Sequence, residues 1–310
     1  MSHKPRVWLI AVGIAALCGV SVCGVAWYRA RSLTTAELLR RMPAEDALVA
    51  YVDFSALRRG GILQLLDGSK AGEDPEYQSF VHRTRFDYKK DLDAALVAFA
   101  PTGRFLLLKG RFDWKSLRTY VESQNGQCVN AFCRMTGSTP ERRISFFPLR
   151  SNLMALAVSP DESAALRLQN AVLGPDAQLP AAPVWISIPT SVLRSGDSLP
   201  AGTRIFARGM ERAEAVTLAF VPEGQGLAAR LEVRCRDDRD AADLTSQLTR
   251  TTNLLRETME RERQKPTPAD LSGVLTSGVF RNDGRRVLGY WPIDRAFVQS
   301  VLGPGMPGPY

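Results

Sequence analysis

Apolar positions follow three patterns along the 310 residues. The first is continuous. Val7 to Tyr28 is an uncharged run of 22 residues, with Lys4 and Arg6 before it and Arg29 and Arg31 after it. As a helix it is about 33 Å long, enough to cross a hydrocarbon core of about 30 Å. The second pattern is alternation with period two, which predicts strands over Ala47–Phe54, Ala94–Ala100, Phe105–Phe112, Arg143–Phe147, Met154–Ser159, Val184–Ile188, Val216–Val221, Leu227–Cys235, Gly273–Arg281 and Arg286–Tyr290. Pro101-Thr102-Gly103, Pro222–Gly226 and Asn282-Asp283-Gly284 supply hairpin turns between them. The third pattern is helical spacing. Trp114, Leu117 and Val121 follow a capping Asp113, and Ala241, Leu244, Leu248, Leu255 and Met259 stripe a long helix from Asp238 to about Gln264. Shorter helices are predicted near Ser55, within 75–92 and after Pro160.

Val7–Tyr28 reads as an uncleaved signal anchor rather than a removed signal peptide. The one passable cleavage site, Gly24-Val25-Ala26, is followed by bulky Trp27 and Tyr28, residues suited to the interfacial belt of a spanning helix. Basic residues flank both ends, so the positive-inside rule does not fix the orientation. The six-residue stub before the run is too short to carry a function. The expectation is therefore a single-pass protein of the bacterial inner membrane with the bulk of the chain extracytoplasmic.

The remaining chain contains an internal duplication. Ser55-Ala56-Leu57-Arg58-Arg59-Gly60 matches Ser191-Val192-Leu193-Arg194-Ser195-Gly196, each after an alternating strand. Ala98-Phe99-Ala100-Pro101-Thr102-Gly103 matches Ala219-Phe220-Val221-Pro222-Glu223-Gly224. Val158–Asp161 resembles Tyr290–Asp294, and both halves close on Val-Leu-Gly-Pro, at Val172–Pro175 and Val301–Pro304. The predicted organisation is a stub and anchor (1–31), a first α+β lobe (32–174), a Pro-rich linker (175–183), a second α+β lobe (184–302) and a loose tail (303–310). Each lobe is expected to be an antiparallel sheet with helices packed on one face.

Charge alters this picture little. Of the formal +8, the anchor flanks supply four: removing Lys4, Arg6, Arg29 and Arg31 from 40 basic residues leaves 36 against 32 acidic ones. That excess is mild, and the arginine pairs lack the interleaved aromatics of a nucleic-acid platform, so no nucleic-acid partner is expected. Cys128 and Cys133 stand on either side of a tight hairpin, where a disulfide is possible in an oxidising compartment; two free thiols are the alternative. No second Cys pair or nearby His completes a zinc set, and no metal or cofactor is expected.

Candidate chemistry is sparse. His3 and His82 are the two histidines, and neither a G-x-S-x-G elbow nor a phosphate-binding loop is present. Asp87, Asp91 and Asp93 form a carboxylate cluster able in principle to serve acid–base chemistry, although a helix boundary accounts for them equally. Asp237, Asp238, Asp240 and Asp243 suit a helix start. The charged end of the long helix, around Arg256 to Arg263, is a candidate surface for a protein partner.

With its anchor and its duplicated Ser-x-Leu-Arg-x-Gly and Ala-Phe-x-Pro-x-Gly units, the chain resembles a bacterial class of single-pass membrane proteins carrying a domain of unknown function. The resemblance spans roughly residues 38–302, implies export, and supplies no catalytic residues. The leading expectation is a non-enzymatic, membrane-anchored extracytoplasmic binding or scaffolding protein, with a cleft between the lobes as the first place to seek a ligand. The alternatives are an assembly subunit of an envelope or secretion complex and a carboxylate-dependent enzyme.

Overall fold

The computed structural model describes residues 33–43, 46–63, 75–137, 139, 141–172, 179–195, 209–210, 213–224 and 226–302. The Val7–Tyr28 run and the 303–310 tail lie outside them. No described helix is long and apolar enough to cross a membrane.

The protein is a mixed α/β structure built on a large antiparallel sheet. In chain order the first part holds α1 (Thr35–Leu39), β1 (Leu48–Asp53), α2 (Phe54–Arg59), α3 (Pro75–Thr84), α4 (Tyr88–Asp91), β2 (Leu92–Ala100), β3 (Gly103–Gly110), α5 (Trp114–Ser123), β4 (Gln127–Val129), β5 (Phe132–Thr136), β6 (Arg143–Arg150), β7 (Leu153–Ser159) and a 3-10 turn at Ala164–Leu168. The second part holds β8 (Val184–Ile188), α6 (Thr190–Ser195), β9 (Ala215–Glu223), β10 (Gly226–Arg234), α7 (Asp238–Arg261), α8 (Leu271–Thr276), β11 (Val279–Asp283), β12 (Arg286–Ile293) and α9 (Arg295–Leu302).

The twelve strands form one sheet, in the order β11-β12-β10-β9-β8-β1-β2-β3-β7-β6-β5-β4. The expectation of one antiparallel sheet in each lobe is thereby corrected to a single sheet shared by both halves. β1 and β8, each the first strand of its half, pair antiparallel from Val49↔Ser187 to Val52↔Val184, so the halves fuse edge to edge. The Asp53 N–H donates to the Pro183 carbonyl at 2.7 Å, extending the seam to the end of the linker.

The strand period fixes which residues share a face. On one face, Leu108, Phe146 and Met154 of the first half pack beneath Phe80 of α3 and Leu117 and Val121 of α5. The same face of the second half presents Val216, Leu231, Val233 and Val287 to Ala241, Leu244 and Leu248 of α7 and to Val298 of α9. On the opposite face, Val49, Leu96, Phe105 and Ala155 pack beneath Leu38 of α1 and Ala164, Ala165 and Leu168 of the 3-10 turn. Helices on one face only, as expected of each lobe, is thus incorrect for the first half, which is covered on both. Trp185, from β8, is 2% exposed and belongs to the first-half core, stacked on Tyr51 with ring centroids 5.6 Å apart.

Local signals account for most element ends. Asp113 accepts from Lys115 and Ser116 N–H, and Asp237 accepts from Asp240 N–H, opening α5 and α7 as their sequences predict. Thr34 and Glu37 make a reciprocal capping box that starts α1. Gly273–Ser277, expected as strand, is mostly helical. Asp270 accepts from Ser272 and Gly273 N–H and nucleates α8, leaving β11 to begin at Val279. β9 runs two residues and β10 one residue into the expected turn, with Pro222 paired opposite Leu227.

Candidate functional site

The two halves differ in what covers the face opposite the long helices. In the first half α1 and the 3-10 turn fill it. In the second half the closing helix α9 packs instead on the α7 side, where Val298 is buried and Phe297 packs against the same cluster. Leu179 and Ala182 of the linker pack against the cluster that contains Trp185 and Ala219. Beyond them, among the described residues, the sheet surface of β10, β12 and β11 lies open.

This leaves a groove of about 670 Å³ with Pro180–Ala182 along one side. Its floor alternates small and apolar side chains with charges, because four neighbouring strands expose every second residue. Thr217, Ala219 and Val221 of β9 face Glu232, Arg230 and Ala228 of β10. Arg230 and Glu232 in turn face Tyr290 and Leu288 of β12, which face Val279 and Arg281 of β11. Val279, at the start of the edge strand β11, is 61% exposed.

The polar side chains interlock. The Tyr290 hydroxyl donates to Glu223 Oε2, and Arg230 pairs with Glu223 at 3.8 Å. The hydrogen bond to Glu223, with desolvation and the carboxylate's charge, raises the Tyr290 pKa, so this residue remains a neutral donor. Arg286 bridges Glu232 at 3.9 Å and Asp283 at 2.6 Å. The arrangement offers apolar contact, a phenol and guanidinium groups; it contains no nucleophile–base pair. No cluster of three or more His, Cys, Asp or Glu suited to a metal occurs among the described residues.

The carboxylates singled out in the sequence are held in backbone and arginine contacts. Asp87 caps α4 and accepts from the Tyr77 hydroxyl at 3.2 Å. Asp91 accepts from Asp87 N–H at 2.9 Å and pairs with Arg111 at 2.9 Å. Asp93 accepts from Ser55 at 3.1 Å. His82 is exposed in the last turn of α3. Asp237 is spent on the α7 cap, and Asp240 pairs with Arg236 at 3.0 Å. The end of α7 does not project free of the fold: Met259 is buried, and Arg256 donates to the Thr276 carbonyl of α8 at 2.6 Å. Leu254, on its outer side, is 56% exposed.

Cys128 and Cys133 lie directly opposite each other in the β4–β5 hairpin and are joined by a disulfide. Cys235 is a buried free thiol, and burial pushes its pKa up, as suits a packing residue. The sequence carried no sign of the open face, because alternation marks two faces of a strand without saying which neighbour covers either.

No family model matches the chain, and no curated protein matches it. Among solved structures it is similar to TP0453. Crystal form III aligns with a TM-score of 0.48 at 12% identity over 87% of this chain and 98% of that one. Crystal form IV gives 0.45 at 12% over 85% and 95%, and form I gives 0.44 at 13% over 87% and 99%. Likeness at this level carries no function across.

Proposed function

We propose that the protein is a membrane-tethered extracytoplasmic binding module that takes a polypeptide partner on the open sheet face of its second half. One observation carries the reading: among the described residues, helices cover one face of the sheet in both halves, whereas the other face is covered over the first half and exposed at Arg230, Glu232, Val279 and Arg281 in the second. An exposed face mixing Val279, Leu288 and Tyr290 with Arg230 and Arg281 suits a segment with apolar side chains between acidic ones. The uncharged Val7–Tyr28 run supports the tether, and the hairpin cysteines support an oxidising compartment.

The same reading includes a tandem duplication. Counted outward from the seam, β1-β2-β3-β7-β6 and β8-β9-β10-β12-β11 have one connectivity, with the β4–β5 hairpin added to the first. Ala50 and Ile186 are paired and 136 residues apart, the offset that also separates Ser55 from Ser191. That register is what a two-fold axis through the Ala50–Ile186 pair requires, since it carries Val49↔Ser187 onto Tyr51↔Trp185.

A photoreactive amino acid placed singly at Val279, Leu288 and Leu254 of the full-length protein tests the site in intact cells. Crosslinks to one protein from 279 and 288, but not from 254, are expected. Crosslinks from 254 alone would move the interface to α7 and favour the assembly-subunit reading. Protease added to spheroplasts should digest the chain beyond residue 32; full protection there would overturn the exported orientation.

A further inference from the structure

A second cavity lies on the helix-covered face of the first half, between α3, α5 and strands β3, β5, β6 and β7. It measures about 250 Å³, and every residue around it is aliphatic, aromatic or methionine, the Tyr120 hydroxyl being the one polar side-chain group. Phe146 and Met154 are buried at its floor, whereas Phe80, Phe86 and Tyr120 are half-buried and form the side nearest solvent.

The aromatic side is built by a specific turn. α3 stops at Thr84, and Arg85 takes a positive φ of 58°. The Thr84 hydroxyl is fully buried; it donates to the Phe80 carbonyl at 2.7 Å and accepts from Phe86 N–H at 3.2 Å. The chain is thereby folded back so that Phe86 stacks on Phe112 at 5.3 Å and meets Phe80 edge-on at 6.3 Å. Phe80 also meets Tyr120 edge-on at 5.2 Å, joining α3 to α5. On the far side, Cys133 is buried in the same cluster, and its disulfide to Cys128 ties down β5, which supplies Met135.

The recess opens toward solvent on its aromatic side, and an unfilled apolar space of this size departs from the crystal-like packing of protein interiors. Water inside it gains little from the walls, because the Tyr120 hydroxyl is the one polar side-chain group among the lining residues. A smaller apolar cavity, about 150 Å³ lined by Leu, Ile and Phe, stays dry and takes up benzene. We propose that this cavity is a binding site for an uncharged hydrocarbon group, either an aromatic ring or the end of an alkyl chain. The site lies on the opposite face from the open groove and shares no lining residue with it.

The test uses full-length protein in lipid nanodiscs and two photoreactive probes, a phenyl diazirine and a short alkyl diazirine, with labelled residues mapped by mass spectrometry. Saturable labelling at Phe80, Met135 or Met154, suppressed by excess unlabelled hydrocarbon, is expected from at least one probe. Which probe labels tells a ring from a chain end. Filling the cavity by Leu156→Trp or, independently, Ile144→Phe should lower that labelling by about fivefold or more while leaving labels elsewhere unchanged. Near-ultraviolet circular dichroism and an intact Cys128–Cys133 bond report whether each variant is folded. The proposal fails if labelling of these residues in the unmodified protein is absent or does not saturate. It fails equally if labelling persists in the folded filled variants.

Discussion

At the scale of single residues, Gly103 and Gly224, which occupy the same place in two similar sequence segments, meet different surroundings. Gly103 has φ 144°, and an added Cβ would lie 2.6 Å from the Val158 carbonyl oxygen and 2.8 Å from Ser159 Cβ. Gly224 has φ 58° with open space around it. The second hairpin extends two residues beyond the point where the first one turns, so its glycine stands clear of the neighbouring strand. Gly103→Ala should therefore cost about 2–3 kcal/mol, and Gly224→Ala about 1 kcal/mol, in urea unfolding. Tyr77 offers a pH readout. Burial, followed by the Asp87 charge, raises its pKa far above the ordinary value of 10.0. The folded chain keeps this proton where the unfolded chain has released it. The contribution is complete below about pH 10 and is lost as pH rises further toward the folded pKa. Unfolding free energies measured from about pH 9.5 to about pH 11.5 should fall more steeply for the natural protein than for Tyr77→Phe.

At the scale of elements, α7 and the β4–β5 hairpin make separate tests. Thr252 is 1% exposed on the buried side of α7, and its hydroxyl has no hydrogen-bond partner among the described residues. Thr252→Val keeps the shape and removes the unpaired group, so it should stabilise the protein by about 1 kcal/mol in chemical denaturation. The disulfide closes a short loop, with a sequence separation of 5. Cys128→Ser should cost about 2 kcal/mol on loop entropy. Cys133→Ser should cost more, because its side chain is buried among Leu117, Val121, Phe146 and Met154 and would carry a hydroxyl into that cluster. Thiol counting on chain released from membranes without reductant should find this pair blocked to alkylation.

At the scale of the whole molecule, the seam decides whether the halves behave as one body. Trp185 comes from the second half but lies in the first-half core, and Ala219 accompanies it. Trp185→Ala should cost about 3–5 kcal/mol and weaken the coupling between the β1 and β8 sides. Calorimetry should resolve one transition in the natural protein and two in the variant. A single cooperative transition in the variant would show that the backbone pairing alone couples the halves.

Much of the element order was legible in the chain. Alternation marked the strands, Asp113 and the Asp237–Asp238 pair marked helix starts, and the Thr34–Glu37 capping box was present although it went unread in the sequence. Gly273–Ser277 misled because a short apolar run suits strand and helix alike, and the cap at Asp270 settled it. The carboxylates near Asp87 looked like chemistry until their partners were visible. The sequence by itself determined the long uncharged N-terminal run, most of the order of elements and which residues of each strand share a face. Only the tertiary structure decided that β1 pairs with β8, that one closing helix packs on the opposite face from its counterpart, and that an open groove and an apolar cavity result. The reason is range: periodicity is a property of neighbouring residues, whereas a covered face or a cavity depends on segments brought together from distant parts of the chain.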